Sequence, residues 1–308
     1  RLDVEGGKAF AAVLKDTQLT NLNVENNYLG IEGGKAFAAV LKDTQITNLN
    51  VALNGLGVEG GKAFAAVLKD TQLTNLDFEC NDLGVEGGKA FAAVLKDTQL
   101  TNLNIGDNNL TNDGKDMSGV LKLAEALPQS KLTNLNISYN DLAGETGLVN
   151  KSKVEGSSFE VGAKVTYEGR KMTVSKAPDS DGDMEMVDWS GVLAFTASLP
   201  ECKSLTSLNV SGNGLRVEGA KAFAAVLKDT QLTHLNVEDN GLGVEGGMAF
   251  AAVLKDTQLT NLNLEANDLG PKGGAAIAEG LKDNTSLKEL NLQNNRLGDA
   301  AEQAIKAA

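Results

Sequence analysis

Side chains able to do acid–base, nucleophilic or metal chemistry are few in this chain and poorly placed for it. His234 is the sole histidine, so no histidine pair or histidine-rich metal site is available. Cys80 and Cys202 stand alone in unrelated contexts. Nucleophilic triads and zinc sites therefore lack parts. No GxxxxGK[ST] phosphate loop occurs, and glycine-rich stretches such as LGVEGG recur as punctuation. One run has metal-like spacing: Asp179-Ser180-Asp181-Gly182-Asp183, followed by Glu185 and Asp188. Hard cations take carboxylate oxygens from alternate residues in this way. The glycine falls fourth rather than sixth, however, and Ser190 stands where a closing glutamate belongs. The preferred reading is an acidic turn entering a helix capped by Asp188 or Ser190. Calcium on Asp179, Asp181 and Asp183 is the alternative. No catalytic residue and no cofactor are expected, and the chain is read as a non-enzyme.

Whatever these side chains do, a repeat must position them. GGKAFAAVLKDTQ occurs unchanged from Gly6, Gly33, Gly60 and Gly87, and nearly unchanged from Gly219 and Gly246. Self-similarity at a fixed period marks a solenoid. Aligned copies give LxxLxLxxNxL nine times, opening at Leu19, Ile46, Leu73, Leu100, Leu132, Leu205, Leu232, Leu259 and Leu287. The spacing is 27 residues where the array is regular, 32 and 28 at two junctions, and 73 between Leu132 and Leu205. The LxL pair, such as Leu22 and Val24, alternates as a short strand does. In VEGGKAFAAVLKDT, Phe37, Val40 and Leu41 form an apolar helical stripe, with Ala36 and Ala39 small for close approach to the sheet. The predicted fold is an α/β horseshoe of nine strand–helix repeats of about 27 residues. It has a parallel sheet on the concave face, helices on the convex face and one inserted β-hairpin.

The pattern LxxLxLxxNxLGxxGxxAF/LxxxL resembles leucine-rich repeat proteins of the ribonuclease-inhibitor type, as in Leu29-Gly30 with Gly33, Ala36, Phe37 and Leu41. That resemblance implies protein binding on the concave face and its edges. Small Ran GTPase-activating proteins share the repeat type, so it leaves open a regulator of a small GTPase. The recurrent asparagine (Asn27, Asn54, Asn81, Asn108, Asn140, Asn213, Asn240, Asn267, Asn295) is read as structural, its side chain satisfying backbone groups at the turn. Gly30, Gly57, Gly84, Gly243, Gly270 and Gly298 are read as holding a turn conformation hard for other residues.

Duplicated units start identical, so the informative residues are those that differ. Variation concentrates at the two positions after LxL and at the residue after the asparagine. The exposed outer faces of the helices have not drifted in the same way, which favours selection over neutral change. The candidate partner-binding residues are Glu25, Tyr28, Leu53, Glu79, Asp107, Tyr139, His234, Glu238, Asp239, Glu265 and Arg296. Leu53 and Tyr139 are the expected apolar anchors. Glu79, Asp107, Glu238, Asp239 and Glu265 are expected to form a ledge for a basic partner. His234 is read as an incidental residue of the same surface. A scaffold role in a larger assembly is the further alternative.

The wide spacing divides the chain into repeats 1–5 (1–142), an insertion (143–187) and repeats 6–9 (188–308). Residues 145–158 read as flexible, and Val165, Tyr167, Met172 and Val174 alternate around Glu168-Gly169 as a hairpin. Asp188-Trp189-Ser190-Gly191-Val192-Leu193 matches Asp116-Met117-Ser118-Gly119-Val120-Leu121, which places the insertion between a strand and its helix. The charge is −13, from 41 acidic and 28 basic residues. That argues against nucleic acid and anionic membrane surfaces. No apolar run approaches a membrane span. Two lone cysteines, with sequons at Asn136 and Asn209 inside predicted strands, favour a cytoplasmic setting. The chain opens within a repeat and ends in a partial helix, as a piece of a longer protein would.

Overall fold

A computed structural model describes residues 1–307. The sequence-derived repeats are present in the expected register. Strands β1 (Asn21–Asn23), β2 (Asn48–Asn50), β3 (Asn75–Asp77), β4 (Asn102–Asn104) and β5 (Asn134–Asn136) come first. The insertion holds β6 (Gly144–Glu145), β7 (Val149–Asn150), β8 (Lys164–Tyr167), β9 (Arg170–Lys176) and β10 (Asp183–Asp188). The array resumes with β11 (Ser207–Asn209), β12 (His234–Asn236), β13 (Asn261–Asn263) and β14 (Glu289–Asn291). β11 pairs directly with β5, in parallel, so the nine array strands form one sheet uninterrupted by the insertion.

Helix α1 (Val4–Leu14) precedes the first strand. After successive array strands come α2 (Gly30–Leu41), α3 (Gly57–Leu68), α4 (Gly84–Val94), α5 (Ser118–Ala126), α6 (Ser190–Ser198), α7 (Arg216–Leu227), α8 (Gly243–Val253), α9 (Gly270–Leu281) and α10 (Asp299–Ala307). The core runs the length of the stack, because each repeat buries its leucines and phenylalanine against its neighbours. Phe37, Phe64, Phe91, Phe195, Phe223 and Phe250 are fully buried, each contributing roughly 1.5–3 kcal/mol of burial. Phe78 wedges edge-on between Phe64 and Phe91, with centroids 5.2 and 5.4 Å away. One expectation is corrected: the buried alanine of α2 is Ala38, whereas Ala39 is exposed and Ala36 only half-buried. The 3.6-residue period turns Ala38 inward beside Phe37 and Leu41.

The turn reading of the recurrent glycine holds. Gly30, Gly57, Gly84, Gly243, Gly270 and Gly298 have φ between 59° and 75°, a region glycine enters at no steric cost. In the sixth repeat Arg216 takes that place at φ 48°.

The insertion is more than a hairpin. β8 and β9 form the expected hairpin, but β10 pairs with β9, and β6 and β7 pair with β10. Val154, Val165, Met172, Val174, Met184 and Met186 make a separate small core. Residues 145–158, read as flexible from their polarity, supply β6, β7 and a 3-10 turn at Lys151–Lys153. Their order comes from backbone pairing onto β10, which no local pattern announces.

Candidate functional site

Two ladders of amides pave the concave floor. One contains Asn21, Asn48, Asn75, Asn102 and Asn134, continuing through Ser207, His234, Asn261 and Glu289. The other is Asn23, Asn50, Asp77, Asn104, Asn136, Asn209, Asn236, Asn263 and Asn291. The second ladder fixes the start of the turn. Asn50 Oδ1 accepts from the Ala52 N–H at 2.9 Å, and Asn104 Oδ1 from that of Gly106 at 3.0 Å. Its amide groups also reach back one repeat. Asn50, Asn104, Asn263 and Asn291 Nδ2 donate to Glu25, Glu79, Glu238 and Glu265 at 3.0, 3.1, 3.0 and 2.8 Å. Four of the candidate acidic residues are therefore also braces between neighbouring repeats, a role the sequence reading missed. The signal was there: the one ladder aspartate, Asp77, follows the repeat with Ala52 in place of a glutamate. A glutamate there would face a second carboxylate, and Asp77 has no N–H to offer.

Beyond the floor, the chain turns toward its helix around the recurrent asparagine. Asn54 Nδ2 donates to the carbonyls of Val24, Val51 and Ala52, and its Oδ1 accepts from the N–H groups of Asn27 and Leu29. Asn81, Asn140, Asn213, Asn240 and Asn267 repeat the arrangement. The structural reading of these residues is confirmed by these bonds.

The residues on either side of that asparagine form the rim, and both take the left-handed conformation. Before it stand Asn26, Leu53, Cys80, Asp107, Tyr139, Gly212, Asp239, Ala266 and Asn294, all with φ between 48° and 63°. After it come Tyr28, Gly55, Asp82, Asn109, Asp141, Gly214, Gly241, Asp268 and Arg296, between 52° and 63°. Glycine, asparagine and aspartate tolerate this region. A leucine or tyrosine there is strained by about 1–2 kcal/mol. Yet Leu53 and Tyr139 remain 45% and 50% exposed, so burial offsets the strain only in part.

The structure brings Asp107, Tyr139, Glu238 and Asp239 into one stretch of rim across repeats four to seven. The Tyr139 ring lies across the next repeat's backbone: a Cβ added to Gly212 would stand 2.2 Å from its Cε1. Partial burial and the charges of Asp239, Glu238 and Asp107 push its hydroxyl pKa up. Cys80 donates its thiol to Asp107 at 3.3 Å, and burial, then Asp107, pushes that thiol to about 11. Asp141 is one of the variable residues after the asparagine but not one of the candidates taken from the sequence. Desolvation, followed by Asp113, Glu145 and Asp107, raises its pKa. Tyr28 and Arg296 lie near the two ends of the rim. Arg1 sits over the Tyr28 ring at 4.7 Å, and Arg296 pairs with Asp268 at 3.1 Å. His234 belongs to the floor instead, its Nδ1 2.9 Å from Thr233 Oγ1.

The inserted sheet stands beside the same stretch. Glu145 pairs with Arg216, which explains an arginine in the glycine position. Arg170 Nη1 donates to the Gly114 carbonyl at 3.0 Å and approaches Asp188 Oδ2 at 3.9 Å. Asp188 Oδ1 accepts from the Ser190 N–H at 2.9 Å, opening α6 as Asp116 opens α5 through Ser118. At the candidate calcium loop, Asp179 Oδ1 accepts from the N–H groups of Asp181 and Asp183, and Asp183 Oδ1 from Asn150 Nδ2. The Asp179 and Asp183 carboxylates are thus tied into a turn, which enters β10 rather than a helix as the sequence reading expected. Among the described residues, no group of three or more His, Cys, Asp or Glu is placed to hold a metal ion, and no helix is long and apolar enough to cross a membrane.

Comparison with known proteins adds the following. The family model described as Leucine Rich repeat matches residues 43–65, 69–92, 201–224, 228–251, 255–278 and 283–305. No curated protein matches the chain. Among solved structures, it is similar to the leucine-rich repeat-containing protein LegL7 from Legionella pneumophila. The identity is 17% and the TM-score 0.52, over 98% of this chain and 92% of that one. It also aligns with a chain of the yeast Rad7 and Elc1 complex at 13% identity and a TM-score of 0.38, over 99% of this chain and 81% of that one.

Proposed function

Since the chain is a leucine-rich repeat protein, we propose that it is a non-enzymatic recognition module that binds a protein partner through the rim where the strands exit. The inserted sheet extends the contact on the same side. The observation that carries this reading is the placement of Leu53 and Tyr139. Both are exposed, both occupy left-handed positions that asparagine or glycine fills in sister repeats, and both stand in an array whose helices are near-duplicates. Neutral drift does not favour strained bulky residues, and large apolar and aromatic side chains dominate interface energetics.

Charge supports a basic partner surface. The 27 positions of the variable stripes carry nine acids and one base, Arg296, a net of −8 out of the chain's −13. The repeated units themselves are close to neutral, as in the Glu32–Lys35 and Glu59–Lys62 pairs of α2 and α3. Both cysteines are free thiols, which suits a cytoplasmic setting.

The test is affinity capture from the native source with two baits of equal stability, the natural chain and one carrying Leu53→Gly, Tyr139→Ala, Glu238→Gln and Asp239→Asn. A partner retained only by the natural chain supports rim recognition. Identical partners on both baits would move the interface to the helices or the insertion.

A further inference from the structure

We infer that the exposed side of the Tyr139 ring receives an arginine side chain of the protein partner. The inference rests on the rim-recognition reading and names the chemistry of its central contact. One side of the ring lies against the Gly212 backbone, a position that admits it only because Gly212 lacks a Cβ. The residue remains 50% exposed. The backbone ladder runs from the Asp107 N–H to the Ser138 carbonyl, from the Tyr139 N–H to that of Ser211 and from the Gly212 N–H to that of Glu238, at 2.8, 2.9 and 3.0 Å. Asp107 thus stands one repeat before Tyr139, and Glu238 and Asp239 stand two repeats after it, just beyond Gly212; their charges push its hydroxyl pKa up. Among the described residues none of the three forms an ion pair. Asp107 accepts from the Cys80 thiol and Glu238 from the Asn263 amide. On the flanking turns, Lys115 pairs with Asp113 and Arg216 with Glu145. An aromatic face framed by unneutralised carboxylates is complementary to a guanidinium, which stacks on the ring and donates to carboxylates in its own plane. The rim contains its own example. At Tyr28, Arg1 places its guanidinium carbon 4.7 Å from the ring centroid and donates to the hydroxyl at 3.2 Å. Tyr139 presents the same ring with more negative charge around it and no arginine.

The test is an NMR titration of the full chain, labelled at tyrosine rings and backbone amides, with L-argininamide and its uncharged analogue citrullinamide. Tyr28 and Tyr167 serve as internal references. The expected result is a saturable shift at the Tyr139 ring and the Gly212 amide with argininamide alone, weakened at least threefold by Asp107→Asn with Asp239→Asn. Asparagine tolerates both left-handed positions, so this variant keeps its fold. No response at Tyr139, an equal response at all three tyrosines, or the same response to citrullinamide overturns the arginine site. Partner capture separates the two levels. Capture that depends on Tyr139 without an argininamide response removes the arginine site and leaves the rim reading. An argininamide response with capture indifferent to Tyr139→Leu removes the rim reading.

Discussion

Leu53 and Tyr139 hold their side chains outward from a backbone conformation that favours glycine or asparagine. Leu53→Asn should raise stability by about 1 kcal/mol in urea unfolding, since strain goes and little burial is lost, while partner binding weakens. A destabilised Leu53→Asn would mean that the side chain supports the fold. Asp141 offers a second check. Its folded pKa is raised, by desolvation first and then by Asp113, Glu145 and Asp107. Its ionised form is therefore disfavoured in the folded state, and the protein gains stability from this residue as pH falls. Asp141→Asn should raise the melting temperature at pH 7, and the advantage should fade through the carboxylate range and vanish near pH 3. An advantage constant with pH would assign the effect to the left-handed backbone instead. Each recurrent asparagine carries the opposite expectation. Asn81→Ala leaves buried donors and acceptors unmatched on two repeats and should cost about 3 kcal/mol or more.

At the scale of elements, the insertion is attached through adjacent ends. Gly144 pairs with Asp188 and Glu145 with Val187 across antiparallel strands, so its ends lie about 5 Å apart. Replacing residues 146–186 with a short glycine linker should leave the nine-stranded sheet folded, with one cooperative unfolding transition by circular dichroism. Loss of cooperativity would show that the insertion clamps repeats five and six together. Its strands also mark where the sequence was hard to read. The array was legible because a 27-residue period repeats the same buried leucines, and the β8–β9 hairpin because Val165, Tyr167, Met172 and Val174 alternate. β6, β7 and β10 were not, since β6 and β7 are two residues long and have no period, and β10 pairs both with them, ahead of the hairpin, and with β9 inside it. The rim residues could be found as variable positions. The left-handed backbone of the larger rim residues is not announced by their types, and the amide braces on four glutamates and the acidic neighbours of Asp141 arise between repeats, so a single copy of the unit shows neither.

Across the whole molecule, stacking separates support from presentation. Helices and leucines recur nearly unchanged and sum their stability repeat by repeat, while the net negative charge gathers along one rim. Such a field steers an oppositely charged partner, so association should slow by about tenfold between low and physiological salt, with dissociation changing less. The measurement that tests the central claim most directly is the partner's dissociation constant for three variants of equal stability. One alters the rim (Tyr139→Ala), one the floor (His234→Ala) and one the outer helices (Met248→Lys). The account predicts at least a tenfold loss at the rim and less than twofold at the other two. A loss confined to the floor or the helices would contradict it.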